Sequence, residues 1–218
     1  MKSFAVIGCG RFGSAVAKTL FELGNEVLAI DGDMDVVDNI AGHVTHAMQA
    51  DVMDEGVLKE LGLGNFDVVV ISIGSDLQAS IMATLIVKEL GVGKIVAKAQ
   101  SELHGKVLKK IGADKVIFPE RDMGIRVAHN LASNSIVDYI ELSPDYSIME
   151  IEAVSKWYDK TLEELRLRNK YHVTVMAIKR GEDVSVSPGP TYKIHRGDIL
   201  VALGSTDAIN DIAEKAGE

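Results

Sequence analysis

Gly8, Gly10 and Gly13 stand in the run Gly8-Cys9-Gly10-Arg11-Phe12-Gly13, between an apolar stretch (Ser3 to Ile7) and a helical pattern that reaches Leu23. A second apolar stretch, Glu26 to Ile30, then ends at Asp31. Glycines at this spacing do the chemistry of phosphate binding. Gly8 permits a tight turn, Gly10 lets backbone N–H groups approach a pyrophosphate, and Gly13 lets the following helix sit close on a sheet. The start of that helix adds partial positive charge beside the phosphates. Phe12 completes the loop, and Asp31 is placed to accept hydrogen bonds from ribose hydroxyls.

Arg11, directly after the second glycine, is a cation at a helix start, where the helix dipole disfavours it; a role on terminal phosphates accounts for it better than solvation. No Lys or Arg neighbours Asp31 in Asp31-Gly32-Asp33-Met34-Asp35, so a 2′-phosphate would meet only negative charge. Asp33 belongs to this site or caps the next helix. Asp51 falls where an adenine would lie, and two roles stay open for it: acceptor from the adenine amino group, or helix cap. Ile73-Gly74 and Lys98 end two further apolar stretches at the same edge. Glu120 follows Pro119; it would hold a cation near the phosphates or cap its helix, and the residues alone favour the cap. Cys9 reads as a packing residue rather than a nucleophile. The histidines at 43, 46, 104, 129, 172 and 195 have no zinc-ligand spacing.

These residues require elements to hold them. Strands are expected at 3–7, 26–31, 44–48, 66–72, 94–98 and 115–118, with helices between them at 54–61, 76–90 and 102–111. Such alternation specifies a doubly wound parallel α/β sheet of order 3-2-1-4-5-6, with its crevice outside strands 1 and 4. Glu120 to Ala132 reads as one more helix and Ser133-Asn134-Ser135 as a polar break. Beyond it, short strands at 136–142, 147–154, 173–179, 184–187 and 199–203, with helices at 161–165 and 206–215, form a small α+β module. Arg180-Gly181-Glu182-Asp183 reads as a hairpin turn. The expected division is 1–119, 120–134 and 135–218.

The net charge of −9 and the lack of a Lys/Arg cluster argue against nucleic acid or an anionic membrane as the partner. No signal peptide or membrane-length apolar segment is visible, and the single cysteine suits a reducing compartment, so the expectation is a soluble cytoplasmic chain without membrane insertion. The loop by itself leaves open a small NAD-dependent oxidoreductase, or an NAD(H)-binding redox sensor. The enzyme would need an acid–base group from the second module, and none is evident there.

Ala5 to Gly13, Ile73-Gly74 with Gln78-Ala79-Ser80, Val96 to Gln100, Lys110 to Asp114 and Pro119 to Gly124 resemble the Ktr/Trk potassium-uptake regulators, which are RCK (regulator of potassium conductance) proteins. The resemblance implies a Rossmann lobe, a crossover helix and an RCK carboxyl-terminal subdomain. It implies homodimers assembled into an octameric ring, peripheral to the inner face of the cell membrane and docked on a membrane potassium transporter subunit. ATP or ADP would occupy the glycine loop and set different ring shapes. Arg11 would reach the terminal phosphates, Asp31 the ribose, and Lys98 would lie near the nucleotide. Glu120 would then be a functional carboxylate, joining a divalent or monovalent cation at the γ-phosphate. Leu165 to Tyr171 and Ser187 to Pro190 are similar to the region that binds cyclic di-AMP in some such regulators, which would make Arg168 and Pro190 contacts. A surface loop and a dimer-contact helix are the other reading of those two segments.

Overall fold

Ser3–Ile7 (β1) and Glu26–Asp31 (β2) lie side by side and parallel, Ser3 opposite Glu26 and Ile7 opposite Ile30. The computed structural model describes residues 1–132, 136–143, 145–208 and 211–212. The remaining strands of this sheet are His46–Gln49 (β3), Val68–Ile71 (β4), Ile95–Lys98 (β5) and Lys115–Ile117 (β6). Their order is β3-β2-β1-β4-β5-β6, all parallel, as the alternating pattern requires. The inner strands β1, β2, β4 and β5 are apolar at successive positions because both their faces are covered. Ala5, Ile7, Ile30, Ile71 and Ile95 face one core, filled by Leu58, Ala83, Ile86 and Leu108 from the helices Glu55–Glu60 (α3), Leu77–Glu89 (α4) and Glu102–Ile111 (α5). Val6, Val27, Ala29 and Val70 face the other, closed by Ala17 of Arg11–Glu22 (α1) and Ile40 of Met34–Ala41 (α2).

Several strands are shorter than the apolar runs that predict them. Val44 is buried ahead of β3, and the Thr45 hydroxyl accepts the Val27 N–H at 2.9 Å, so pairing begins at His46. Before β4, residues Leu63–Asn65 form a 3₁₀ turn, and the Asp67 carboxylate accepts the Ser3 N–H at 2.8 Å. A side chain thus takes a bond the ladder would otherwise use.

The chain divides into two compact units, Met1–Pro119 and Glu120–Glu218. The second opens on Pro119–Ala132 (α6) and contains Ile136–Ser143 (β7), Tyr146–Glu152 (β8), Leu162–Leu165 (α7), Leu167–Tyr171 (α8), Thr174–Arg180 (β9), Asp183–Val186 (β10) and Ile199–Ser205 (β11). Its sheet is antiparallel, ordered β10-β9-β11-β8-β7, with Met149, Ile151 and Ala202 in one core and Ile178, Leu200 and Ile194 in another. Gly181, at φ +59°, turns the β9–β10 hairpin. The polar break at 133–135 lies outside the described residues; of the helix expected at 206–215, positions 206–208 and 211–212 are helical and the rest lie outside them. The sequence pattern also misses α8. Arg166 adopts the left-handed conformation (φ +52°), which ends α7 and separates it from α8.

Arg126 of α6 holds β7: its Nε donates to Asp138 Oδ1 at 2.6 Å, and the His129 ring stacks on Tyr139 with centroids 4.1 Å apart. The hydrogen-bonded Arg126 guanidinium, helped by the Tyr139 N–H and opposed by burial, brings the Asp138 carboxyl down to about 2. A carboxyl depressed on folding stabilises at pH values above about 4 and loses that contribution as pH falls toward 2. Asp138→Asn should therefore lower the Tm by a few degrees at pH 7 and converge with the parent chain in acid. An offset that stays constant with pH would assign Asp138 a packing role instead.

Candidate functional site

The carboxyl ends of β1, β2, β4 and β5 form one edge of the parallel sheet, and most of the sequence-identified residues of the first unit gather there. Gly8 has φ +87°, and a Cβ on it would lie 3.1 Å from the Ile73 nitrogen. A Cβ on Gly13 would overlap the Gly8 carbonyl oxygen and the Ser72 hydroxyl, so α1 approaches the sheet only as glycine. Ser72, whose Oγ donates to the Gly8 carbonyl, carries this corner and went unrecognised in the sequence, where it reads as the last residue of a strand. Gly10 is different. Its φ is −63°, it is exposed, and a Cβ there would meet no protein atom within 4 Å.

Asp31 Oδ2 accepts the Cys9 N–H at 2.6 Å and Oδ1 accepts the Asp33 N–H at 3.0 Å. The carboxylate thus ties the glycine loop to the turn after β2 and keeps lone pairs for further donors. Asp33 caps α2, accepting from the Asp35 N–H at 2.9 Å. Cys9 is buried, and burial first, then the nearby Asp31 charge, pushes its thiol up to about 12, so it packs and does not attack.

Arg11 begins α1 and is exposed. Of α1 to α5, only α1 opens without a side-chain cap: Asp33, Asp54, Asp76 and Ser101 cap the others. Across the loop, Lys98 is buried at the end of β5, its Nζ 5.9 Å from the Phe12 ring centroid. The same Nζ lies 3.5 Å from where a Gly74 Cβ would stand. Lys98, Phe12 and Gly74 are therefore neighbours, although they come from three separate stretches of sequence.

A cavity of about 580 Å³ lies beyond β2 and β3, lined by Gly32, Gln49, Ala50, Asp51, Val52 and Val57. Asp51 takes no part in capping α3; Asp54 does that, accepting the Val57 N–H at 3.2 Å. Asp51 Oδ1 instead accepts the Met53 N–H at 2.8 Å and the residue lines the cavity. Gln49, whose Nε2 donates to the Gly32 carbonyl at 3.0 Å, was missed because a polar residue on an edge strand carries no signal of its own.

Glu120 stands exposed in the first turn of α6, where Pro119 is the first helical residue, so it is not the N-cap. Among the described residues no group of three or more His, Cys, Asp or Glu side chains is placed to hold a metal ion.

The second unit has its own cleft, of about 350 Å³, where Arg168 on α8 and Pro190 on the loop before β11 do come together. Leu162, Glu163, Arg166, Thr174 and Pro188 also line it. Two strained positions flank it: Arg166 at φ +52° and Ser187, directly before Pro188, at φ +51°. Left-handed non-glycine residues cost on the order of 1 kcal/mol each and concentrate at ligand sites.

Two family models match the chain, the TrkA-N domain over residues 4–119 and the TrkA-C domain over residues 147–217. The chain is 52% identical to Ktr system potassium uptake protein C of Bacillus subtilis (strain 168), across 96% of this chain and 95% of that protein. It is 44% identical to Ktr system potassium uptake protein A of the same organism, over 93% of this chain and 91% of that one. In fold it is similar to the GsuK RCK domain (TM-score 0.69, 16% identity, 100% of this chain and 48% of that one). It is likewise similar to the GsuK channel bound to NAD (TM-score 0.54, 23% identity, 99% of this chain and 38% of that one). Among the described residues no helix is long and apolar enough to cross a membrane. With a glycine-loop lobe and an antiparallel second unit matched in turn by these two models, the chain belongs to the TrkA-type family of potassium-uptake regulatory proteins.

Proposed function

We propose that this chain is a nucleotide-sensing regulatory subunit that gates a membrane potassium transporter, with ATP and ADP competing for the glycine-loop crevice. The observation that carries the reading is the start of α1: backbone N–H groups without a side-chain cap, a glycine at position 10 that no protein contact demands, and an exposed arginine next to it. Together they present a cationic, donor-rich surface suited to a phosphate chain. Asp31 would take the ribose and the Asp51 cavity the base, with Ile73 and Gly74 covering the phosphates and Lys98 supplying a second positive charge. The protein binds and does not catalyse.

Gating follows from differential affinity. A nucleotide shifts a two-state ring only by as much as it prefers one state, so the γ-phosphate must find more contacts in one ring shape than in the other. Arg11, reaching in part into the neighbouring subunit, and Glu120, holding a cation there, are the groups that would read it. The assembly would be an octameric ring built from homodimers on the cytoplasmic side of its transporter, and cyclic di-AMP would inhibit through Arg168 and Pro190 in the second cleft. NAD(H) is the second occupant to consider, because the Asp31 ribose site and the absence of a neighbouring cation suit an unphosphorylated adenosine.

Light scattering after size exclusion should give a mass near eight protomers, and competition should rank ATP and ADP above NADH. Arg11→Ala should weaken ATP about tenfold or more and leave AMP nearly unchanged. A stable monomer that prefers NADH would overturn the regulator reading, and equal losses for ATP and AMP would remove Arg11 from the terminal phosphates.

A further inference from the structure

Gln49 ends β3, the edge strand of the parallel sheet, and lines the cavity beyond β2 and β3. Its backbone is fixed by the ladder. Gln49 lies opposite Asp31, and the next residue, Ala50, donates its N–H to the Asp31 carbonyl at 3.0 Å. Its side chain is fixed as well. Nε2 donates to the Gly32 carbonyl at 3.0 Å, and no other described residue donates to that carbonyl. A carbonyl can only accept, so the nitrogen must face Gly32 and the oxygen must be the other arm of the amide. That oxygen, Oε1, accepts no hydrogen bond from the described residues.

The rest of the cavity has two kinds of surface. Ala50, Val52 and Val57 pack against the core and offer no polar side chain. Asp51 offers a carboxylate, with Oδ1 engaged by the Met53 N–H at 2.8 Å. An apolar floor with a few placed polar groups suits a flat heterocycle. The two polar side chains do not discriminate alike. A carboxylate accepts from the amino group of adenine, and equally from the ring N–H and amino group of guanine. An unrestrained glutamine is no more selective, because its amide turns over and presents oxygen or nitrogen as the ligand requires. A glutamine pinned by its nitrogen keeps its oxygen free for the ligand. That oxygen accepts from an amino group and is set against a carbonyl.

We propose that Gln49, locked by the Gly32 carbonyl, selects adenine over a purine that carries a carbonyl in place of the adenine amino group. The inference rests on the nucleotide reading above and adds to it the residue that chooses the base. With adenine bound, its amino group donates to Oε1. With the carbonyl purine, two acceptors meet, and relief requires the amide to turn. Turning gives up the bond to Gly32 and brings Oε1 against the Gly32 oxygen, so the lock supplies the penalty. The base is common to ATP and ADP, and the selection therefore leaves their competition unchanged.

Titration of the full chain with ATP and with inosine triphosphate tests this, since the two differ only in that amino or carbonyl group and the ring proton that accompanies the carbonyl. The parent chain should bind ATP about tenfold more tightly. Gln49→Met keeps the length of the side chain without its amide, and should bring the two affinities within about twofold at an unchanged Tm. NMR of the parent gives a readout without substitution: the Gln49 side-chain amide resonances should shift on adding ATP. Equal affinities in the parent, an unmoved Gln49 amide, or a folded Gln49→Met chain that keeps the preference would overturn the assignment and leave nucleotide binding intact. Binding of neither triphosphate would overturn the nucleotide reading and this inference with it.

Discussion

Gly13→Ala is expected to destabilise the amino-terminal unit by about 3 kcal/mol and to abolish most of its nucleotide affinity. The added methyl would overlap a backbone oxygen, that of Gly8, and the hydroxyl of Ser72. Neither is the far end of a flexible side chain. Relief requires α1 to move off the sheet, which opens the packing of Ala17 against Val6 and Val27 and withdraws the helix start from the phosphates. Gly10→Ala separates the two effects. Its Cβ would meet no protein atom within 4 Å, so the fold should be unchanged while phosphate binding falls. Urea unfolding with ATP titration of both variants reads the difference. A Gly13→Ala chain as stable as the parent would show that α1 can back away without cost.

Asp198→Ala is expected to cost the carboxyl-terminal unit about 3 kcal/mol at neutral pH. The carboxylate is fully buried and accepts from Arg180 Nε, Arg180 Nη2 and the His195 N–H. Arg180 is half exposed and can turn to water, which keeps the cost below that of stranding a buried charge. The His195 N–H has no such exit through a side-chain rotation. Burial acts to raise the Asp198 pKa, but the Arg180 and His195 hydrogen bonds prevail and hold it below the ordinary carboxylate value. A carboxyl depressed in this way stabilises above its unfolded pKa and loses that contribution in acid. The gap between variant and parent, measured by denaturant midpoints, should therefore narrow as pH drops below about 4. A gap that widens in acid would contradict the assignment.

The parallel sheet was legible because its inner strands β1, β2, β4 and β5 carry runs of apolar residues and each helix between the strands opens on a capping residue or on glycine. The glycine loop was legible for the same kind of reason: Gly8 and Gly13 answer to backbone sterics that act over a few residues. Asp51 and Asp54 show the limit of such reading. Both are aspartates near the start of α3, and only the three-dimensional turn decides that Asp54 caps while Asp51 lines the cavity. Arg166 shows another. Nothing in Leu165-Arg166-Leu167 announces a left-handed residue; the conformation is imposed by the packing of Leu165 and Leu167 into the same core.

By itself, then, the sequence determined what local sterics and periodicity control: the order of elements, the doubly wound sheet, the glycine turn after β1 and the acid that ends β2. Tertiary structure alone decided which distant residues meet. Lys98 with Phe12 and Gly74, Arg168 with Pro190, and Arg180 with His195 and Asp198 are joined across long separations by strand pairing and helix packing. Those pairings follow from burial summed over the whole sheet, which no short stretch of residues encodes.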